Sequence, residues 1–154
     1  MPTYVHASVL DAPFDVVWQF HAEPAGLLAL TPGMLGLEVR AVEYPECNAG
    51  AGLSPGTDLT LAFQPVPGGP AVRWVARITH RSCEGRSGMF RDELLAGPIP
   101  RWVHTHRFVD VNFGTLVYDH VSYRSPRWLP EPVFRLGLAL MFRDRHRRLQ
   151  TLLA

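Results

Sequence analysis

The sequence predicts an α+β domain in which a seven-stranded antiparallel sheet curves around one long C-terminal helix. Three observations support this class. Apolar residues alternate with polar ones in six separate runs between residues 35 and 124, and helical spacing returns after residue 131. Gly and Pro, 13 and 14 residues respectively, fall between the apolar runs. A chain of 154 residues suits a single domain, which we expect to span 1–154.

The N-terminal elements are one strand and two short helices. Residues 3–10 alternate in the manner of a strand. Asp11 follows as a helix N-cap, and Pro13 lies in the first turn, so a helix begins there. Pro24 opens a second short helix through Leu30, which residues 31–33 (Thr-Pro-Gly) end.

Six further strands follow, each bounded by Gly, Pro, Asn or Ser. Strict alternation is typical of half-buried strands in an antiparallel sheet. The predicted strands cover residues 35–40, 58–63, 73–78, 90–94, 101–108 and 117–124. The Pro- and Gly-containing segments 45–56 and 65–70 are predicted to be long loops.

The last predicted element is a helix over roughly 131–153. One face of it carries apolar side chains, at Phe134, Leu138, Met141, Leu149 and Leu152. An antiparallel sheet with one solvated face needs a cover for its inner face, and this helix is the only element large enough.

Composition excludes several classes of function. All 15 basic residues are Arg, so a lysine Schiff base, a lysine general base and a P-loop lysine are impossible. The formal charge of +1 gives no argument for nucleic-acid binding. GxSxG, GxGxxG, Walker A and HExxH motifs are absent. Cys47 and Cys83 are too few for a disulfide scaffold and lack zinc-site spacing, so we expect inert thiols.

The sequence also gives expectations about location and partners. Residues 1–10 lack the pattern of a secretory signal, and no run of about 20 apolar residues is present. We therefore expect a cytoplasmic protein without a membrane span, without a cofactor, and without nucleic acid as a partner. The expected partner is a small apolar ligand, and a homodimer remains open.

Several motifs carry a resemblance to a known superfamily. They are Ser8–Trp18, Phe90-Arg-Asp92 with Gly97-Pro98, Trp102–Phe108, Thr115–Tyr123 and Met141–Leu149. With the order of elements, they resemble the START-like helix-grip superfamily (SRPBCC), and most of all its bacterial polyketide cyclase/dehydrase-like branch. The resemblance covers nearly the whole chain and implies an elongated cavity between sheet and helix. Such proteins bind lipids, sterols, polyketides or other apolar molecules there, and a minority catalyse cyclisation or dehydration. Fold alone does not choose between these outcomes.

The hairpin of the last two strands predicts which residues share the inner face. A two-residue turn at Asn112-Phe113 pairs residues whose numbers sum to 225. A register shift of two would keep the same face and change the partners. The predicted pairs are Trp102 with Tyr123, His104 with Val121, His106 with Asp119, and Phe108 with Val117.

The inner face carries polar groups that permit chemistry. Asp119 could orient His106 and raise its pKa, and the pair would suit abstraction of a proton next to a carbonyl. A buried polar pair that fixes sheet register, or an anchor for a ligand, explains the same residues. His104 and His106 could bind a divalent metal with Asp119, but any alternating strand can place two His residues this way, and we expect no metal. Asp92 points inward and needs a partner, for which His104 or an inward tyrosine is a candidate.

The remaining inward residues suggest an aromatic lining for the expected cavity. Aromatic stripes are more often simple core, so both interpretations stay open. The residues predicted to bind ligand are Phe63, Trp74, Phe90, Asp92, Trp102, His104, Phe108, Tyr123, Phe134, Leu138 and Met141. The leading hypothesis is binding of a small hydrophobic molecule of the lipid, polyketide or aromatic class. The alternative is a cyclase or dehydratase that uses His106 and Asp119.

A second alternative concerns the Arg-rich end of the last helix. Arg143, Arg145, Arg147 and Arg148 lie there with a single acid, Asp144. A solvated helix end whose cations complement the helix dipole explains them. An anionic head group, a membrane surface or RNA are the other interpretations, under which the chain is an interaction module. Arg145 falls on the apolar face, where its stem can lie along the cavity rim.

Overall fold

A computed structural model describes residues 1–30, 37–45, 53–64, 66 and 68–154 of the chain. Its elements follow the predicted order of one strand, two short helices, six strands and one long helix. They are β1 (Thr3–Leu10), α1 (Phe14–Phe20), α2 (Pro24–Leu30), β2 (Glu38–Glu43), β3 (Asp58–Phe63), β4 (Val72–Glu84), β5 (Ser87–Ala96), β6 (Arg101–Val111), β7 (Gly114–Arg124) and α3 (Glu131–Leu153).

The seven strands form one curved antiparallel sheet in the order β1-β7-β6-β5-β4-β3-β2. β1 and β2 are therefore the two edges, and α1 and α2 connect them. The first strand pairs with the last, from Thr3 opposite Ser122 to Leu10 opposite Thr115. This confirms the predicted α+β helix-grip architecture, in which the sheet wraps around α3.

The β6–β7 hairpin has the predicted register. His106 lies opposite Asp119, and Val111 pairs with Gly114 across the two-residue turn. The preceding hairpin is longer than predicted, because β4 and β5 extend to a turn at Gly85, whose φ of 59° favours glycine. The prediction missed the polar ends of both strands, since residues 79–84 are mostly exposed and show no apolar alternation.

β2 begins three residues later than predicted. A register shift between Val39 and Ala41 interrupts its pairing with β3, and the period of two is lost there. Leu35 and Gly36 of the predicted strand lie outside the described residues, as do the predicted helix end at 31–33 and Cys47. Most of the predicted loop 45–56 and part of 65–70 also lie outside them.

α3 buries a face slightly different from the predicted one. Its buried residues are Leu138, Phe142, His146 and Leu149. Leu152 is half exposed, at 51%, so its predicted inward position is wrong. Successive buried residues are four, four and three positions apart, which is helical spacing. Phe142, rather than the predicted Met141, is the residue packed deepest against the sheet.

The core divides into two apolar clusters on the inner face of the sheet. One contains Phe14 and Val17 of α1 together with Phe108, and the other contains Tyr123 and Phe142. Members of both clusters also line the cavity described below. No helix in the described part of the chain is long and apolar enough to cross a membrane.

Candidate functional site

A cavity of about 620 Å³ lies between the inner face of the sheet and the helices α2 and α3. Most of its walls are aliphatic or aromatic, including Leu61, Ile78 and Ile99. The structure places most of the residues predicted to bind ligand along it. They are Phe63, Trp74, Phe90, Asp92, Trp102, His104, Phe134, Leu138 and Met141.

Two residues predicted to line the cavity lie elsewhere. Phe108 is fully buried beneath α1, with its ring centroid 5.9 Å from that of Trp18. The hydroxyl of Tyr123 donates a 2.5 Å hydrogen bond to Glu131, and its ring packs against Phe134. Both side chains are on the predicted face of the sheet, but α1 and α3 cover the ends of that face, so these two belong to the core.

The polar side chains gather at one end of the cavity, from three neighbouring strands and α3. Asp92 of β5 lies opposite His104 of β6, and His106 of β6 lies opposite Asp119 of β7. Because side chains two residues apart share a face, all four point inward. His146 reaches the same place from α3.

Asp119 is the centre of this network. His104 Nε2–H donates to one of its oxygens over 2.7 Å, and His146 Nε2–H donates to the other over 2.6 Å. Nδ1 of His106, the cross-strand neighbour, lies 3.2 Å from the carboxylate. Ser8 hydrogen-bonds Nδ1 of His146 over 2.5 Å. The predicted proximity of His106 and Asp119 is present, while the hydrogen bonds of Asp119 go to His104 and His146.

The hydrogen-bond partner of Asp92 is His106, which was not among the partners predicted for it. Nε2–H of His106 donates to Asp92 over 2.9 Å, so the expected partner, His104 or an inward tyrosine, is corrected. His106 thus bridges two carboxylates, because its other nitrogen faces Asp119. The donor atoms of Asp92, His104 and His106 lie within 4.8 Å of one another.

Burial and hydrogen bonding set the charges of the cluster. Burial raises the pKa of Asp119, but its contacts with His104, His106 and His146 outweigh burial and hold that pKa well below its usual value. The pKa of Asp92 is lowered, since its bond with His106 outweighs burial. Burial lowers the pKa of His106, but the two carboxylates raise it overall. Burial and the charge of His106 lower the pKa of His104. These directions favour ionised Asp92 and Asp119, and they make His106 more readily protonated than His104.

Arg145 brings a further charge to the cavity wall. Its guanidinium makes no hydrogen bond or ion pair with any residue that the structure describes. Burial lowers its pKa, while the carboxylates of Asp119 and Asp92, which act from beyond contact distance, raise it. The predicted position near the cavity is confirmed, and the cation is left available to a ligand.

The arginines of the helix end have different surroundings. Arg148 pairs with Asp144 over 2.8 Å on the same helix. Arg143 and Arg147 are exposed, and Arg145 points into the cavity. The four arginines are therefore divided among three environments.

Two histidines of the site were not predicted to be part of it. His146 continues the buried series of α3, four residues after Phe142, which is the signal that could have found it. His21 lies four residues after Val17 and lines the cavity, with Nδ1–H donating to the Val17 carbonyl over 2.8 Å. Burial lowers the pKa of His21 to about 3, so this imidazole is neutral.

Comparison with solved structures gives the same architecture in other proteins. Protein CV1439 from Chromobacterium violaceum superposes with a TM-score of 0.71 at 16% identity, covering 98% of this chain and 96% of that one. A START superfamily protein from Mycobacterium smegmatis gives 0.69 at 10% identity, covering 97% and 94%. The chain has the START-like helix-grip fold.

An enzyme also shares this START-like fold. A point mutant of norcoclaurine synthase from Thalictrum, in complex with a transition-state analogue, gives a TM-score of 0.64 at 17% identity, covering 97% of this chain and 94% of that one. No protein-family model matches the sequence, and the search of curated proteins finds no match. At these identities the START-like fold is what the comparisons show.

Proposed function

We propose that this protein binds one small, predominantly apolar molecule in the cavity between its sheet and α3. The observation that carries the proposal is the cavity itself. Its volume of about 620 Å³ and its apolar walls match those of small-molecule sites, which run from roughly 300 to 1,000 Å³. Solvating such walls without a ligand is unfavourable, so an apolar guest gains free energy by displacing that water.

The polar cluster would orient the guest. Trp74 and Trp102, whose ring centroids lie 5.5 Å apart, offer flat apolar surface to the body of the molecule. Arg145 and the Asp92–His106 pair line the same cavity and offer charge and hydrogen bonds. We therefore assign the ligand to the lipid, polyketide or aromatic class, with one polar group directed toward this cluster. The norcoclaurine synthase structure supports the proposal as an example of this fold in complex with a transition-state analogue.

Gly137 of α3 provides a test of the binding mode. It lines the cavity, and a Cβ built on it meets no atom of the described residues within 4 Å. Gly137→Leu would place a branched side chain where the ligand lies, while Gly137→Ala is the matched control. We would titrate each protein with the neutral fluorescent probe N-phenyl-1-naphthylamine.

The expected result is saturable binding at one site in the wild type and in Gly137→Ala. Gly137→Leu should weaken binding about tenfold, since overlap of a few carbon atoms costs about 1–3 kcal/mol. Absence of saturable binding in the wild type, or equal affinities in all three proteins, would contradict the proposal. Mass spectrometry of solvent extracts of the purified protein would then identify the chemical class of the natural ligand.

Catalysis of cyclisation or dehydration is the second candidate. The pair of His106 and Asp119 was predicted for this role, but the geometry favours His104 as the base. His104 is neutral, it donates Nε2–H to Asp119, and its Nδ1 makes no hydrogen bond to a described residue. That nitrogen could take a proton from a carbon next to a carbonyl.

A comparison of extracted ligands would test the catalytic candidate. A dehydratase should yield molecules lighter by one water from the wild type than from His104→Gln. His106→Gln serves as the second variant, because the two substitutions separate the geometrically favoured base from the predicted one. Identical masses together with identical chromatographic retention of the extracts from all three proteins would remove this candidate, because cyclisation without loss of water leaves the mass unchanged. A cytoplasmic location, a homodimer and an interaction through the Arg-rich helix end stay predictions of the sequence.

A further inference from the structure

We infer that Asp92, His104 and His106 form a binding site for one divalent first-row transition metal ion at the polar end of the cavity. Their three donor atoms lie within 4.8 Å of one another, so small side-chain movements would bring them to the separation of about 3.4 Å that donors have on one tetrahedral ion. His104 and His106 are buried, and all three side chains line the cavity. This site goes beyond the proposed binding of an apolar molecule and does not depend on it.

The backbone fixes the three donors before any ion arrives. Asp92 and His104 are directly paired residues on neighbouring strands, and His106 follows two positions along β6 on the same face. The imidazole centroids of His104 and His106 lie 3.6 Å apart. Strands at the centre of a seven-stranded sheet offer a rigid base for such a site.

Asp119 holds each imidazole in the orientation that a metal site needs. It accepts a hydrogen bond from Nε2 of His104 and lies 3.2 Å from Nδ1 of His106. Each ring directs one nitrogen to Asp119, and we assign the other two nitrogens, Nδ1 of His104 and Nε2 of His106, as the metal donors. Histidines that bind metal ions commonly donate their other N–H to a carboxylate in this way. His146 in turn holds Asp119 in place, and Ser8 hydrogen-bonds His146.

The donor set determines which ions fit. Two imidazole nitrogens and one carboxylate oxygen suit Zn²⁺, Fe²⁺, Co²⁺ or Mn²⁺ better than Ca²⁺, which prefers oxygen ligands. Asp92 and Asp119 supply the negative charge that the ion requires. In the metal-free protein His106 Nε2–H donates a hydrogen bond to Asp92 over 2.9 Å, and the ion would replace that proton. Three protein ligands leave coordination positions open to the cavity, where water or the polar group of a ligand can bind.

Metal titration of the full-length protein, stripped with chelator and without any organic ligand, tests the inference. We would follow visible absorption as Co²⁺ is added and heat release as Zn²⁺ is added. One equivalent should bind, and Co²⁺ should develop d–d bands. Asp92→Asn keeps the shape of the side chain and removes a ligand charge. His80→Ala, which removes an exposed histidine of β4, is the matched control.

Loss of a residue that hydrogen-bonds a metal ligand weakens metal affinity roughly 10- to 100-fold, and we expect a loss in that range for Asp119→Asn. Asp92→Asn changes a direct ligand and should weaken metal binding by at least as much. His80→Ala should leave the affinity unchanged. Histidine ring signals in NMR spectra of the wild type provide a readout that needs no variant. His104 and His106 should shift with one equivalent of Zn²⁺, while His80 should not.

Absence of stoichiometric binding by the wild type would overturn the metal site, as would an equal loss in His80→Ala and Asp92→Asn. These outcomes are distinct from failure of the proposed function. Probe binding measured after chelation tests the cavity without the ion, and metal titration tests the ion without the probe.

Discussion

Two fully buried threonines differ in whether their hydroxyls are satisfied. Thr115 Oγ1–H donates to the Ala12 carbonyl over 2.8 Å, whereas Thr57 Oγ1 has no partner among the described residues. Thr115→Val should therefore lower the free energy of unfolding by about 1–3 kcal/mol, because it strands a buried carbonyl. Thr57→Val should cause no loss and a gain of up to about 1 kcal/mol. Urea denaturation measures both, and equal effects would contradict the assignment.

His21 should make stability depend on pH. Its pKa is about 3 in the folded chain, mainly because burial disfavours the cation. Positive charge on His106 and Arg145 lowers the pKa further, whereas the Val17 carbonyl and Asp119 raise it. Below its unfolded pKa of about 6.5, the unfolded chain binds a proton that the folded chain rejects. The unfolding free energy should therefore fall as pH falls, by up to about 1.4 kcal/mol per pH unit from this group.

His21→Asn isolates that contribution. The amide N–H can still donate to the Val17 carbonyl, but the side chain no longer titrates. Urea denaturation between about pH 6 and pH 4 should show a shallower decline for this variant than for the wild type. Parallel curves would show that His21 does not cause the decline.

Arg145 should select for anionic guests. Two probes with the same rings, neutral N-phenyl-1-naphthylamine and anionic anilinonaphthalene sulfonate, separate charge from apolar contact. Arg145→Met keeps the aliphatic stem and removes the cation that lines the cavity. It should weaken binding of the sulfonate about tenfold, as loss of a charge-assisted hydrogen bond does, and change binding of the neutral probe little. Equal losses would mean that the guanidinium acts only by packing.

For single residues, the face of the sheet that a side chain occupies was easier to predict than its hydrogen-bond partner. Strand alternation was enough to bring His106 and Asp119 to the same face and register. The hydrogen bonds depend on side-chain directions and on a residue of α3, His146, which no pattern within the hairpin can reveal. Asp92 was likewise predicted to face inward, and its partner is the diagonal cross-strand neighbour, His106, rather than the directly paired His104.

Among the elements, the contact between β1 and the β6–β7 turn constrains one glycine. Gly114 has a φ of 152°, and a Cβ there would lie 2.0 Å from the Leu10 carbonyl oxygen. Gly114→Ala must push β1 away from β7 or distort the turn, and should cost at least about 1–3 kcal/mol of stability. Gly137→Ala in α3 should instead stabilise the helix by about 0.5–1 kcal/mol. Thermal and urea denaturation measure both, and a neutral Gly114→Ala would contradict this packing.

The order and type of the elements were predictable because periods of two and 3.6 are local properties of a sequence. The ends of β4 and β5 were not, since their exposed polar residues are held by pairing across the hairpin rather than by burial. The buried face of α3 was predicted only in part, because Phe142 and Met141 are both apolar neighbours and packing against the sheet chooses between them.

For the whole molecule, the feature that matters most is the unfilled space between sheet and α3. Its volume depends on the distance between elements far apart in the chain, and no local pattern encodes that distance. Strand alternation predicted the inward aromatic side chains, but only the resemblance to the START-like superfamily implied a cavity. Placement of Phe108 and Tyr123 in the core shows how the ends of the same face can be filled while its middle is open.

Isotope-filtered NMR of N-phenyl-1-naphthylamine bound to labelled protein tests most directly whether this interior receives a guest. The account predicts contacts between probe protons and the side chains of Trp74, Trp102 and Leu138, all of which line the cavity. Contacts confined to Leu136 and Leu140 on the exposed side of α3, or none, would contradict it.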